Sequence, residues 1–435
     1  MARKMRDSGV EWIGEVPEGW EVSRVKNECI NLDSLREPIS AENRENKQCL
    51  YDYYGASGVI DKIDNYNVDD TVLLIGEDGA NLRMRNLPLV YKATGKFWVN
   101  NHAHILKPKE GRDYGFMAYA LEAGDYNDFI TGSAQPKLSQ ANLMAYPIAL
   151  PPLPEQRAIA DYLDEKCEAI DGAVGELKRG IEDCKAWKKA IIFEAVTGKR
   201  RVGFNAEKQR GRVAERPMRD SGIPWIGEIP DGWEVVKARR FIASTQNGLT
   251  RRNLSESKGE IVLRLKNVSS DGYIDYSDVV RIELSENEKS SYGLITGDLL
   301  FARVNGSRSL VGKCAEYVGN REFVAYNDHL IRVRVNDMIA RRFFTYYLFG
   351  QAGKTEIELH TSTSAGQFTI SGAGLRDIAV VMPPLPEQQA IADYLDEKCA
   401  AIDALVVEKE KLIADLEAYK KSLIFELVTG KREVA

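Results

Sequence analysis

Beyond Pro154 the chain takes on a helical rhythm. Apolar residues recur at Ile159, Leu163, Ile170, Val174, Leu177, Ile181, Cys184 and Ile191, with the three- and four-residue steps of a heptad-like stripe. A second stripe runs through Ile391, Leu395, Ile402, Leu405, Leu412, Leu416, Tyr419, Leu423 and Leu427. Pro154 followed by Glu155 suits a first helical turn, where a missing N–H costs nothing. Each run ends in Thr-Gly-Lys-Arg, with Gly198 and Gly430 placed as the residues that stop a helix. Residues 154–197 as one helix would extend about 65 Å at roughly 1.5 Å per residue. No single helix buries such a stripe by itself. The pattern therefore predicts two long helices packed as an antiparallel coiled coil, with Leu163, Ile170, Val174, Leu177 and Ile181 of the first and Leu395, Ile402, Leu405, Leu412 and Leu416 of the second packing the helices together or docking a partner. Gly172, Gly175 and Gly180 weaken the first helix by about 1 kcal/mol each relative to Ala, unless they let a partner approach closely.

The stretches between these helices change period. Residues 330–335 (LIRVRV) alternate apolar and polar side chains, the two-residue period of a half-exposed strand. Residues 261–268, 298–304 and 378–382 read as further strands, as do 71–76, 97–100 and 103–107 in the first half. Helices are expected at 114–123 and 340–350. Two α+β domains follow from this mixture.

The chain is also written twice. Residues 151–171 and 383–403 agree at 19 of 21 positions, and residues 5–22 and 218–235 at 14 of 18. The opening segments are offset by 213 residues and the Pro-Leu-Pro segments by 232, so the second middle is longer by 232 − 213 = 19 residues. Matches at intermediate offsets suggest one fold with surface loops of different length. Repeated frames around different middles fit two modules with one task and two specificities. The segments are then 1–150, a first domain with its opening segment; 151–199, a helix; 200–217, a linker; 218–382, a second domain; and 383–435, a second helix.

Composition narrows the class. With 44% hydrophobic and 29% charged residues over 435 positions, the chain reads as globular, with room for two or three domains. No apolar run approaches the roughly 20 residues of a membrane span, the start is polar, and a cytoplasmic location is expected. Six cysteines without a C-x-x-C pair fit a reducing compartment rather than a zinc site. The net charge of −6 is not a basic footprint, but it is uneven. Residues 236–382 hold 20 Lys and Arg against 16 Asp and Glu, whereas residues 23–150 hold 14 against 17. A subunit that reads base edges while partners supply phosphate contacts is compatible with this balance.

Catalysis finds no foothold. The sequence has no Asn/Asp-Pro-Pro-Tyr/Phe turn of an adenine methyltransferase and no Walker A loop. His102 and His104 alternate as if on one strand face, but His329 alone answers them in the second copy, so no metal is expected. Base recognition has better candidates. Arg303, Asn305 and Arg308 combine the side chains that bond bidentately to guanine and adenine edges. Asn81, Arg83 and Arg85 have the same character in the first copy, and Gln135 with Lys137 and Gln367 with Thr369 precede or enter a strand in each half.

The frames PPLPEQ-x-AIADYLDEK and D-S-G-x-x-W-I-G-E-x-P-x-G-W-E-V resemble the DNA-specificity subunits of type I restriction–modification systems, over the whole chain. The resemblance implies two target-recognition domains, each reading half of a bipartite site in double-stranded DNA. It implies conserved helices between them that dock two methylation subunits, and two restriction subunits where cleavage occurs. The internal repeat would relate the halves by a pseudo-twofold axis. S-adenosylmethionine would belong to the methylation subunits and ATP with Mg to the restriction subunits, with no cofactor on this chain. No base-contacting residue carries over, since the middles are the variable part. The alternative is a coiled-coil scaffold whose α+β domains bind proteins.

Overall fold

The computed structural model describes residues 3–40, 42, 50–202, 216–251, 258–269, 272–364 and 366–434. Most of the expected linker at 200–217 lies outside the described residues. The chain divides into two compact units, Met1–Lys178 with Lys409–Ala435, and Arg179–Glu408. Both divisions fall inside long helices, so each unit is completed by a helix end from the other copy of the repeat.

The two stripes form continuous helices, Leu153–Val196 and Leu385–Val428, each of 44 residues. Within the first unit they run antiparallel, as the ion pairs Asp171–Lys420 (2.7 Å) and Lys178–Glu417 (3.7 Å) require. Lys188–Asp403 (2.7 Å) with the hydrogen bond between Arg200 and Tyr394 gives the same sense in the second unit. Lys188 and Lys420 are repeat equivalents at offset 232, and so are Asp171 and Asp403. Leu163, Ile170, Val174, Ile181, Leu395 and Ile402 are buried, while Leu177 and Leu416 are half-buried.

Two of the stripe residues do not pack between the helices. Leu405 and Leu412 are 40% and 45% exposed. Between Ile402 and Leu423 the half-buried positions are Val406, Lys409, Ile413, Leu416 and Lys420. Leu405 and Leu412 each precede that seam by one residue, a rotation of about 100° at 3.6 residues per turn. The seam also carries Lys409 and Lys420, both half-buried, and the Lys420 ammonium is held by Asp171. A Cβ at Gly172 or Gly175 would meet nothing of this chain within 4 Å, so packing of the chain on itself does not require glycine at either.

The repeated frames touch one another, which is why they repeat together. Glu21–Arg24 pairs antiparallel with Pro147–Leu150, and Glu234–Lys237 with Ala379–Met382. The tryptophan of each Gly-Trp then donates its indole N–H to the glutamate of Pro-Glu-Gln, Trp20 to Glu155 (3.2 Å) and Trp233 to Glu387 (3.0 Å). Arg3 and Arg216 bind the same carboxylates. The neighbouring glutamines tie down the domains: Gln156 accepts from the Asp113 amide (2.9 Å) and Gln388 from the Ala340 amide (2.7 Å). Finally Gly430, at φ 71°, sits against Pro17 and Trp20, and Gly198, at φ 75°, against Pro230 and Trp233. Left-handed backbone with no room for a Cβ demands glycine at both helix ends.

The middles are α+β, with different sheets on one plan. In the first, six strands run in the order Cys29–Asn31, Ala103–Pro108, Val68–Gly76, Val90–Val99, Tyr51–Gly55, Gly58–Ile63. In the second, Ile242–Asn247, Leu330–Val335, Leu299–Ala302 and Cys314–Glu316 form one sheet, and Val280–Ile282, Glu260–Leu263 and Val324–Tyr326 another. Helices Tyr114–Glu122 and Arg341–Phe349 stand where expected, and a further helix, Gln351–Leu359, follows the latter. Leu330–Val335 is not half-exposed, because Arg332 is buried. Its guanidinium donates to the Ser291 and Gly293 carbonyls and to Gln246, which offsets most of the cost of burying it, while Nε is buried without a hydrogen-bond partner among the described residues.

Candidate nucleic-acid interface

The same backbone junction ends the central strand in each unit. The Glu77 amide donates to the His102 carbonyl and the Leu138 amide to the Glu77 carbonyl, both at 2.8 Å. In the second unit the Arg303 amide donates to His329 (2.8 Å) and the Ile370 amide to Arg303 (2.9 Å). His102 and His329 are therefore equivalent. The junction gathers residues that lie far apart in the chain. Asp78 bridges Lys137, and Val304 and Asn305 pair with Thr369 and Phe368. Gln135 and Lys137 thereby join the loop after Gly76, and Gln367 and Thr369 join the loop after Ala302.

In the first unit this makes a cleft of about 640 Å³, lined by Asp78, Arg83, His102, Gln135 and Lys137 among others. Arg83 and Gln135 are exposed, and Arg83 has no side-chain partner among the described residues. Lys137 pairs with Glu77 at 2.8 Å, and Arg36 binds the same carboxylate. Burial alone would raise the Glu77 carboxyl, but these two hydrogen bonds outweigh it and hold the group below its ordinary 4.5. Beneath the cleft, buried His104 meets Asp33 through Nδ1 (2.7 Å) and the Leu138 carbonyl through Nε2 (2.8 Å). Asp33 is likewise held below 3.8: burial opposes this, and the bonds from His104 and the Ile105 amide prevail. The two histidines thus serve different purposes rather than sharing one strand face.

The remaining candidates of this unit are already engaged. Asn81 staples a loop, donating to the Leu87 carbonyl (3.1 Å) and accepting from its amide (2.9 Å). Arg85 adopts a left-handed backbone and donates to Glu122 and to the Gly124 carbonyl, capping a helix end. Its guanidinium supports the loop.

The second unit has a cleft of about 830 Å³ whose lining includes Arg251, Arg264, Lys266, Asn305, Lys313, Asn327 and His329. Four of these cationic side chains escaped the sequence reading; the positive balance of residues 236–382 was the only signal for them. Arg251 pairs with Glu288, and Arg264 and Lys266 with Asp278. Burial pushes the Lys313 ammonium below its usual range. Asn327 is buried, and its Oδ1 has no hydrogen-bond partner among the described residues. Arg303 donates to the Asp328 carbonyl (3.2 Å), and Arg308 reaches away to the Glu358 carbonyl (2.9 Å). Asn305 accepts from the Ser307 amide (3.0 Å) and keeps its amide group at the cleft. Gln367 is exposed beside it, and Thr369 hydrogen-bonds Ser362. No cluster of metal-ligating side chains occurs among the described residues.

Two polar clefts on one junction, each lined differently, suit recognition more than chemistry. The sequence model of the Type I restriction modification DNA specificity domain matches residues 17–172 and 230–414. The chain belongs to this family. Membership makes it the DNA-specificity component of a type I restriction–modification system, not the catalytic one. Both matches begin at the prolines, Pro17 and Pro230, against which the helix-ending glycines pack. The chain is 23% identical to the type I restriction enzyme StySPI specificity subunit of Salmonella potsdam, covering 96% of this chain and 90% of that one. It is 22% identical to the EcoKI specificity subunit of Escherichia coli over the same shares. Among solved structures, a chain described in work on the assembly and conformational transition of a type I system superposes with a TM-score of 0.63, at 16% identity over 95% of this chain and 98% of that one. The specificity subunit of Thermoanaerobacter tengcongensis gives 0.50 at 15% identity, over 96% and 98%. No helix among the described residues is long and apolar enough to cross a membrane.

Proposed function

We propose that the chain reads a bipartite sequence in double-stranded DNA, one half-site per unit, and brings two methylation subunits to it. The observation that carries this reading is the shared junction. One backbone arrangement presents Asp78, Arg83, His102, Gln135 and Lys137 in one unit, and Arg264, Lys266, Asn305 and His329 in the other. Common geometry with different donors and acceptors is what two readers of two sequences need, because base identity is told by hydrogen-bond patterns at the groove edge. In this reading S-adenosylmethionine resides in the methylation subunits, ATP with Mg in restriction subunits where they join, and the assembly works in the cytoplasm.

Exchange of residues 23–150 for the corresponding domain of a relative tests it. Co-expressed with the methylation subunit, the hybrid should methylate a site changed in one half only, as mapped by long-read detection of methylated adenine. A change in both halves sinks the two-reader reading. A purified complex that shifts all DNA equally in gels would favour the protein-binding scaffold instead.

A further inference from the structure

The equivalence of His102 and His329 points to a specific reader. Both rings stand exposed at their clefts, on the residue whose carbonyl closes the junction. They differ in what holds them. The ring of His329 has no hydrogen bond or ion pair among the described residues, whereas Nδ1 of His102 lies 2.7 Å from Asp78 Oδ2. An ionised carboxylate can only accept, so Nδ1 must carry the hydrogen. In the neutral ring Nε2 is then a bare acceptor. The neighbours in the cleft, Arg83 and Lys137, are donors only, and Gln135 can act either way.

We propose that His102 is a specificity-determining residue of the first half-site, with Nε2 accepting from the exocyclic amino group of an adenine or cytosine in the major groove. Those two bases alone offer a donor there; guanine and thymine offer acceptors at the corresponding position and meet an unpaired lone pair. Asp78 is the positioning residue that selects the tautomer. The inference rests on the DNA-reading function proposed above, and it assigns one chemical choice within it.

The test is a methylation map of cells expressing the methylation subunit with the wild-type chain, His102→Ala or Asp78→Asn. His102→Ala should keep the second half-site intact and relax one position of the first, lowering its preference by about five- to tenfold, the scale of one lost base contact. Asp78→Asn leaves the ring in place but can donate to Nδ1, allowing Nε2–H to become the donor. It should relax the same position toward guanine or thymine. An unchanged motif in both variants overturns the proposal while leaving the two-reader function standing. Uniform weakening on all sequences, with no change of motif, overturns it in favour of a phosphate contact. A wild-type chain that yields no bipartite motif removes the underlying function and the proposal together. Should His102→Ala abolish methylation at every site through misfolding, Asp78→Asn decides alone: relaxation at one position supports the proposal, and an unchanged motif refutes it.

Discussion

A single buried ring governs the floor of the first cleft. His104 lies between Asp33 and the Leu138 carbonyl, and Leu138 is the next residue after Lys137. Asp33 in turn accepts from the Ile105 amide at 2.8 Å. Asp33 and Glu77 are both held below the ordinary carboxylate values of 3.8 and 4.5. The sign follows from linkage: a carboxyl depressed in the folded state adds stability that is whole above its unfolded value and is lost as pH falls through the folded one. The first unit should therefore keep its full stability down to about pH 4.5 and lose it progressively below. Asp33→Asn should flatten that acid limb while lowering stability at pH 7, as read by thermal melts across pH. An acid limb as steep as the wild type's would show that Asp33 is not the responsible group. The sequence displayed His102 and His104 as a like pair; only the fold separates an exposed ring from a buried strut.

At the scale of elements, the helices show how one residue type can have opposite effects. Gly172 and Gly175 lie in ordinary helix with open space where a Cβ would stand. Alanine at both should raise stability by roughly 1 kcal/mol per site, because glycine carries more backbone entropy into the unfolded chain. Gly430 is left-handed and pressed on Pro17. Alanine there should cost about 1–2 kcal/mol from the backbone alone, with the steric overlap in addition. Chemical denaturation of the three variants gives both signs in one experiment, and a stabilised Gly430→Ala would contradict the packing described. Helical periodicity made the two helices legible from sequence, yet it did not separate the exposed Leu405 and Leu412 from the buried seam. An apolar residue beside the seam resembles one in it when the seam itself carries lysines.

For the molecule as a whole, the consequence of the repeat is that the first unit is not a continuous stretch of chain but takes its last helix from the second copy. Leu423, Ile424, Leu427 and Val428 belong to the core of the first unit, together with Val16, Trp20 and Leu163. Fully burying such a side chain stabilises by about 1.5–3 kcal/mol, so the four together approach the roughly 5–15 kcal/mol that holds a whole domain. Removing residues 409–435 should unfold the first unit and spare the second, whose residues all remain. Hydrogen exchange on the truncated chain should lose protection at Val68–Gly76 and keep it at Leu299–Ala302. Equal protection of both strands would show that the C-terminal helix is dispensable to the first core.

What the sequence determined by itself was whatever is periodic or repeated: two long helices, two α+β modules, and frames that had to matter because they recurred intact. Those features are local, since a heptad or an alternating strand declares itself within a dozen residues. What only the tertiary structure decided was every relation between distant residues. It joined Gly430 to Pro17, paired Asp78 with Lys137, matched His102 to His329, and spent Arg85 on Glu122 while leaving Arg83 exposed. The reason is physical. A side chain's type states which bonds it can make, but its partner is chosen by strand register and helix packing, which depend on the whole chain at once.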